Sequence, residues 1–279
     1  MRKAGHECRA AKQAVLWASG KLPEELLKLI ELHAGTCGLG GLKLGNIRVK
    51  FRRGEEVKFI SHLDLMKVFE RAIRRARLPI SYSQGFNPHP GMVFGLPLSV
   101  GVTSDAEYGD FEVTDDSLSM KEFMERLNAQ LPRGIELSAA RPRRSRQNIM
   151  ATISASEYLV VAGTKFECSG KSLKSAVQKY RTQNEIIVQK KTKSGIKATD
   201  IKSMIYDLDL ELQPCGEFNI IKFTMLVSAG SKANLKPELL IESFFQYLDA
   251  DFEIDRIHRT KLFVKAEDQL LDPMDGLVL

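Results

Sequence analysis

Two short polar runs carry the side chains with the widest chemical reach. Ser61-His62-Leu63-Asp64 sets an imidazole and a carboxylate at the start of an apolar-periodic stretch. Gln84-Gly85-Phe86-Asn87-Pro88-His89-Pro90 sets amides, an aromatic ring and a second imidazole on one turn-rich segment. An imidazole is the side chain whose ordinary proton affinity lies near neutrality, so His62 and His89 together have the chemistry of a general acid and base, the pair that metal-independent RNA cleavage needs. Singly they suit other work. A helix opening at Ser61 favours an anion such as phosphate, and Ser61 and Asp64 equally suit plain capping of that helix, worth about 1 kcal/mol; the two roles are compatible. In the second run Gly85 permits positive φ, and each proline drives its predecessor into an extended shape. Gln84, Phe86, Asn87 and His89 therefore stand on a stiffened backbone fit for base stacking and polar readout. The plainer alternative is a structural crossover whose amides bond to backbone.

Charge is the next resource. The formal net charge is +6, and residues 1–46 hold seven Lys+Arg against four Asp+Glu, half of that excess. Overall charge therefore argues weakly for an anionic partner, and only local clusters count. They fall at Arg71, Arg74, Arg75 and Arg77, at Arg141, Arg143, Arg144 and Arg146, and at Lys190, Lys191, Lys193 and Lys197. Such clusters attract phosphates, or form a solvated face. Arg143-Arg144-Ser145-Arg146 stands out because it lies in a connector, with no helix face to explain it. Ser231 and Asn234, with Ser228 and Gly230, resemble a phosphate-tolerant turn ahead of a helix, although Ser and Asn are also ordinary caps.

Cysteine chemistry is thin. Cys8, Cys37, Cys168 and Cys215 stand at least 29 positions apart, so no close-set cysteine run can hold an iron–sulfur cluster. His6, Cys8, His33 and Cys37 are suitable zinc ligands by type, but H-x-C and H-x3-C spacings match no closed zinc module, and no metal is expected. Scattered cysteines point to the reducing cytoplasm. No run approaches the roughly 18 apolar residues of a membrane helix, and the basic amino terminus has no unbroken apolar core, so neither a membrane span nor a secretory signal is expected.

These residues must be positioned by elements that periodicity makes legible. Residues 1–46 read as a helical extension and a Gly-rich linker, GTCGLGGLKLG. From Ile47 the pattern is strand (47–53), helix after Ser61, strands over 91–103 and 107–113, helix (117–131) and strand (134–144). The second half reads as strand (156–163), helix (172–183), an inserted turn around 193–195, strands (204–212 and 218–230), helix (236–248) and strand (251–264). Both are β-α-β-β-α-β, which predicts an α+β chain of two tandem ferredoxin-like units with antiparallel sheets, 47–146 and 150–264. Residues 265–279 read as a loose tail.

The run FISHLDLMKVFERAIRRARLPISYSQGFNPHPGMVFGLPLSVGVTSDAEYGDFEV (59–113) resembles the bacterial radical-SAM-associated family of unknown function. EIIVQKKTKSGIKATDI (185–201), SAGSKANLKPE (228–238) and IHRTKLF (257–263) match it further. Members stand alone or fused behind a radical SAM enzyme, and they typically start near Ile47, so residues 1–46 depart from the pattern. The resemblance implies a radical SAM protein as partner, with the iron–sulfur cluster and SAM held there and no cofactor in this chain. Three functions follow as expectations. One is an accessory, non-catalytic module that binds RNA or another anionic macromolecule; a second is an endoribonuclease-like enzyme using His62 and His89; a third is a protein–protein interaction subunit.

Overall fold

The computed structural model describes residues 45–279 apart from 116, 167–168, 193–194 and 216–217. The metal candidates His6, Cys8, His33 and Cys37, the rest of the extension up to residue 44, and Lys193 lie outside the described residues. In β1 (Asn46–Arg53), Ile47, Val49 and Phe51 are buried under the helices of the first half, as their alternation requires. Helix α1 (His62–Arg75) buries Leu65, Phe69, Ala72 and Ile73 as one stripe. The Phe69 ring lies 5.0 Å from Phe51, 4.9 Å from Phe94 and 6.1 Å from Phe111, so this aromatic knot fixes the helix on the sheet. The helix stops where Arg77 takes a left-handed φ of 50°, just ahead of Leu78-Pro79.

The half is completed by β2 (Met92–Phe94), β3 (Thr103–Glu112), α2 (Met120–Asn128) and β4 (Ile135–Pro142), with strand order β4-β1-β3-β2, all antiparallel. A strand over 91–103 is cut to three residues. Pro97 has no N–H for a ladder, and the edge of β3 beyond Gly109 is given to β10 (Glu253–Ala266). The second half contains a short helix the sequence pattern does not announce, α3 (Ile149–Thr152), then β5 (Ile153–Thr164) and α4 (Gly170–Arg181). A separate hairpin of β6 (Ile187–Thr192) and β7 (Gly195–Asp200) is the inserted segment. β8 (Ile205–Cys215), β9 (Phe218–Ser228), α5 (Pro237–Tyr247) and β10 follow, in the order β10-β5-β9-β8. Leu173, Tyr180, Leu240, Phe244 and Phe245 bury the helix side of this half.

The described chain is thus mixed α+β, with a mostly antiparallel sheet and five helices. The expectation of separate sheets is corrected. β3 and β10 pair in parallel at Thr103/His258 and Ser104/Arg259, so one nine-stranded sheet, counting β11 (Gln269–Leu271), runs through both halves. Charge seals this seam. Arg259 is buried; its Nη1 donates to Glu107 Oε1 (2.8 Å) and the Leu96 carbonyl (3.1 Å), and its Nε and Nη2 donate to Tyr158 Oη. Single removal of either charge would leave the other stranded, at a cost of about 3–5 kcal/mol.

The 265–279 segment is not loose. β11 pairs with the end of β10, Arg48 Nη1 donates to the Pro273 carbonyl (3.1 Å), Tyr108 Oη donates to Asp272 (3.1 Å), and the Leu279 carbonyl accepts from Arg144 N and Ser145 N. Arg48 is fully buried, and a buried guanidinium needs acceptors that its own strand cannot supply. The tail supplies one of them. No helix among the described residues is long and apolar enough to cross a membrane.

Candidate functional site

The two sequence-favoured runs sit apart in character. Residues 81–91 form a narrow loop closed at its neck: Tyr82 bridges Pro90, Ser83 N donates to the His89 carbonyl (2.8 Å), His89 N donates to Ser83 Oγ (2.9 Å), and Ser81 Oγ donates to Glu112 (2.7 Å). Beyond the neck Gln84, Phe86, Asn87 and His89 are exposed, Phe86 completely, and their side chains make no hydrogen bond or ring contact within the described residues. The structural-crossover reading, with amides bonded to backbone, therefore does not describe Gln84 and Asn87.

At the start of α1 the capping role holds. Ser61 Oγ accepts from Asp64 N (3.2 Å) and donates to Asp64 Oδ2 (2.7 Å), which keeps that carboxyl below its usual range. His62 is half-buried, edge-on to Phe94 at 6.2 Å. Its desolvation, aided by the nearby Arg53 guanidinium, lowers its pKa and favours the neutral ring. Arg53 itself is 1% exposed; Nη2 donates to the Val57 and Ile60 carbonyls, while Nε and Nη1 find no partner among the described residues. No contact joins His62 to His89.

The connector arginines divide. Arg143 is a structural tie: its side chain is 8% exposed, Nε lies 3.4 Å from Asp110 Oδ2, and Nη1 donates to the Ser145 and Gln147 carbonyls. Asp110 also holds Arg48 (2.7 Å) and the N–H of Ile149 (2.7 Å), so one buried carboxylate gathers β1, the connector and α3. Arg144 and Arg146 remain exposed. On α1 and after it, Arg74 pairs with Glu70 and Arg75 donates to the Gln130 carbonyl (2.6 Å), as befits a solvated face.

What the fold does build is a pocket of about 560 Å³ in the second half. It is lined by the 228–233 loop after β9, the α3–β5 corner, Gln147, Tyr206 of β8 and the β10–β11 turn with Lys265 and Glu267. Ala229 N donates to the Ser154 carbonyl (3.0 Å), Leu235 N to the Ser228 carbonyl (3.0 Å) and Ser228 Oγ to the Ala233 carbonyl (3.4 Å), which ties the loop at both ends. Between these ties Ser231, Lys232 and Ala233 line the pocket, and their N–H groups make no hydrogen bond within the described residues. Lys232 has no ion partner there, and Lys265 has only Asp268 at 3.9 Å. Lys190 Nζ reaches the Asn234 carbonyl (3.4 Å), and Lys197 stands across from Lys190 on the hairpin. Arg146 is the chain neighbour of the lining residue Gln147.

Of the residues singled out in sequence, Ser228 and Ser231 line this pocket and Asn234 adjoins it, with Arg144 in the neighbouring connector; none of residues 81–91, nor His62, lines it. Lys191 lies in β6 of the hairpin, and Arg143 is consumed elsewhere. Tyr206, Lys232, Lys265 and Gln147 are additions that composition and spacing do not mark. Only the SAGSKAN run, already notable for its glycine and short polar residues, pointed here.

Comparison with solved structures places the chain beside a Cbf5-Nop10-Gar1 complex (12% identity, TM-score 0.46, 81% of this chain and 52% of that one). It also matches an archaeal box H/ACA sRNP Nop10-Cbf5 complex (12% identity, TM-score 0.39, 82% and 48%). A third match is an unknown protein from Galdieria sulphuraria (12% identity, TM-score 0.23, 75% and 96%). The chain spans about half the length of the first two. Comparison with curated proteins found no match. A family model covers residues 46–237, more than two thirds of the chain, which therefore belongs to the family described as "Uncharacterized protein conserved in bacteria (DUF2344)".

Proposed function

We propose that this protein is a non-catalytic module that binds RNA and works beside a separate radical SAM enzyme, which would carry the iron–sulfur cluster and SAM. The observation that carries the RNA-binding half of this reading is the gathering of positive charge from separate elements around one open pocket. Lys232 comes from the loop after β9 and Lys265 from β10, and Lys190 of the hairpin reaches the Asn234 carbonyl beside that loop. Lysines from separate elements on one concave polar surface suit phosphate contacts, which supply most of the affinity for nucleic acid. The radical SAM partner rests on the sequence resemblance alone. The shared strand order of the two halves supports reading them as tandem ferredoxin-like units fused edge to edge, with the pocket at the rim of the second.

The test is a gel shift with total tRNA and rRNA fragments across a salt series. Micromolar binding that weakens steeply between 50 and 200 mM salt, as several phosphate contacts require, is the expected outcome. Binding that is absent, or flat with salt, contradicts the reading.

A further inference from the structure

We infer that the 228–233 pocket is a nucleotide subsite that takes one nucleotide unit, with its phosphate on the loop and its base against Tyr206. This rests on the RNA-binding reading above and adds which part of the polymer enters the protein. A volume of about 560 Å³ falls within the range of roughly 300–1,000 Å³ typical of small-ligand sites. It admits one nucleotide and excludes a duplex, so the RNA it serves is a single strand, a flipped residue or an end.

Three observations set the chemistry. Ser231, Lys232 and Ala233 line the pocket in succession with N–H groups that make no hydrogen bond within the described residues, and consecutive main-chain donors of this kind bind phosphate oxygens. These donors are held in place, because the backbone at Gly230 sits so tightly on the Ile153 carbonyl that a Cβ there would come within 2.2 Å of it. Tyr206 lines the same pocket while 44% exposed, without a ring partner among the described residues, and a base has a face to offer such a ring. Glu267 also lines the pocket. Lys232 has no ion partner among the described residues, whereas Lys265 is shared with Asp268, so with Glu267 on the wall the pocket has charge for no more than a single phosphate group. The Glu267 carboxylate disfavours a polyphosphate and can accept from a sugar hydroxyl or a base amino group.

The test is calorimetric titration of the full chain with adenosine and uridine 5′-monophosphates, the corresponding nucleosides and inorganic phosphate, each at low salt. One monophosphate is expected to bind per chain, at least tenfold more tightly than phosphate or nucleoside. Lys232→Glu should weaken it by tenfold or more, and Tyr206→Ala by about tenfold while Tyr206→Phe restores it. Thermal melts within about 3 °C of the parent chain establish that these surface variants fold. Equal affinity for phosphate and nucleotide, or indifference to Tyr206→Ala, overturns the inference. RNA retained in the gel shift without monophosphate binding overturns this subsite and leaves the broader RNA-binding reading intact; loss of both defeats both.

Discussion

Two polar loops, 81–91 in the first half and 228–234 in the second, start from similar material: short polar residues around one glycine of positive φ, +130° at Gly85 and +126° at Gly230. Their surroundings differ. A Cβ at Gly85 would meet nothing within 4 Å, and the side chains around it are exposed. Gly230 lies against the Ile153 carbonyl, and strands and turns from 150 to 267 close around its loop. A stiff polar loop becomes a site only when distant chain gives it walls. The first loop offers side chains; the second offers a volume.

The largest effect separates two carboxylates that stand two residues apart on β3, one holding the start of α3, whose corner lines the pocket, and the other holding the neck of 81–91. Asp110 is 4% exposed and holds Arg48, Arg143 and the Ile149 N–H, so Asp110→Ala should cost about 3–5 kcal/mol in denaturant unfolding. Glu112, exposed and bonded to Ser81, should cost less than about 1 kcal/mol when replaced by Ala. Comparable losses at both positions would erase the distinction.

Next come the glycines. Gly230→Ala should destabilise by about 3 kcal/mol, because the strain of positive φ adds to a forced shift of backbone at Ile153. Gly85→Ala meets only the conformational strain and should cost about 1 kcal/mol. Equal melting-temperature shifts would place the loops in equivalent environments.

The smallest effect concerns pH near the first loop's half. His62 binds its proton less readily in the folded chain than when unfolded, so the unfolded state takes up the extra proton as pH falls. Its contribution is present above the unfolded value, about 6.5, and is lost as pH falls through the lower folded value. His62→Gln should flatten the fall in stability below about pH 6.5, measured as unfolding midpoints from pH 7.5 to 5; an unchanged slope would place the imbalance on other groups.

Much of this fold is legible in the sequence because each element carries its own period. Ile47, Val49 and Phe51 announce a strand, and Leu65, Phe69, Ala72 and Ile73 a helix, without help from elsewhere. What is not legible depends on residues far apart. The parallel join at Thr103 and His258 spans 155 residues, and with it come the single sheet, the truncated β2 and the buried Arg259–Glu107 pair. Arg143 reads as a free surface charge until Asp110 is seen beside it, and the tail reads as loose until Arg48 is seen to need the Pro273 carbonyl. The pocket is the extreme case, since Gln147, Tyr206, Lys232 and Lys265 come from four separate segments. Ser231 and Asn234 were accessible through their run of small polar residues; Tyr206 looked like any strand residue.

One paired measurement tests the central claim most directly: fluorescence anisotropy of a short single-stranded RNA titrated with two double variants at matched salt. Lys232→Glu with Lys265→Glu should weaken binding by tenfold or more, while Asn87→Ala with His89→Ala should leave it within about twofold of the parent chain. The reverse ranking, with the 81–91 variant crippled and the lysine variant unaffected, would contradict the account.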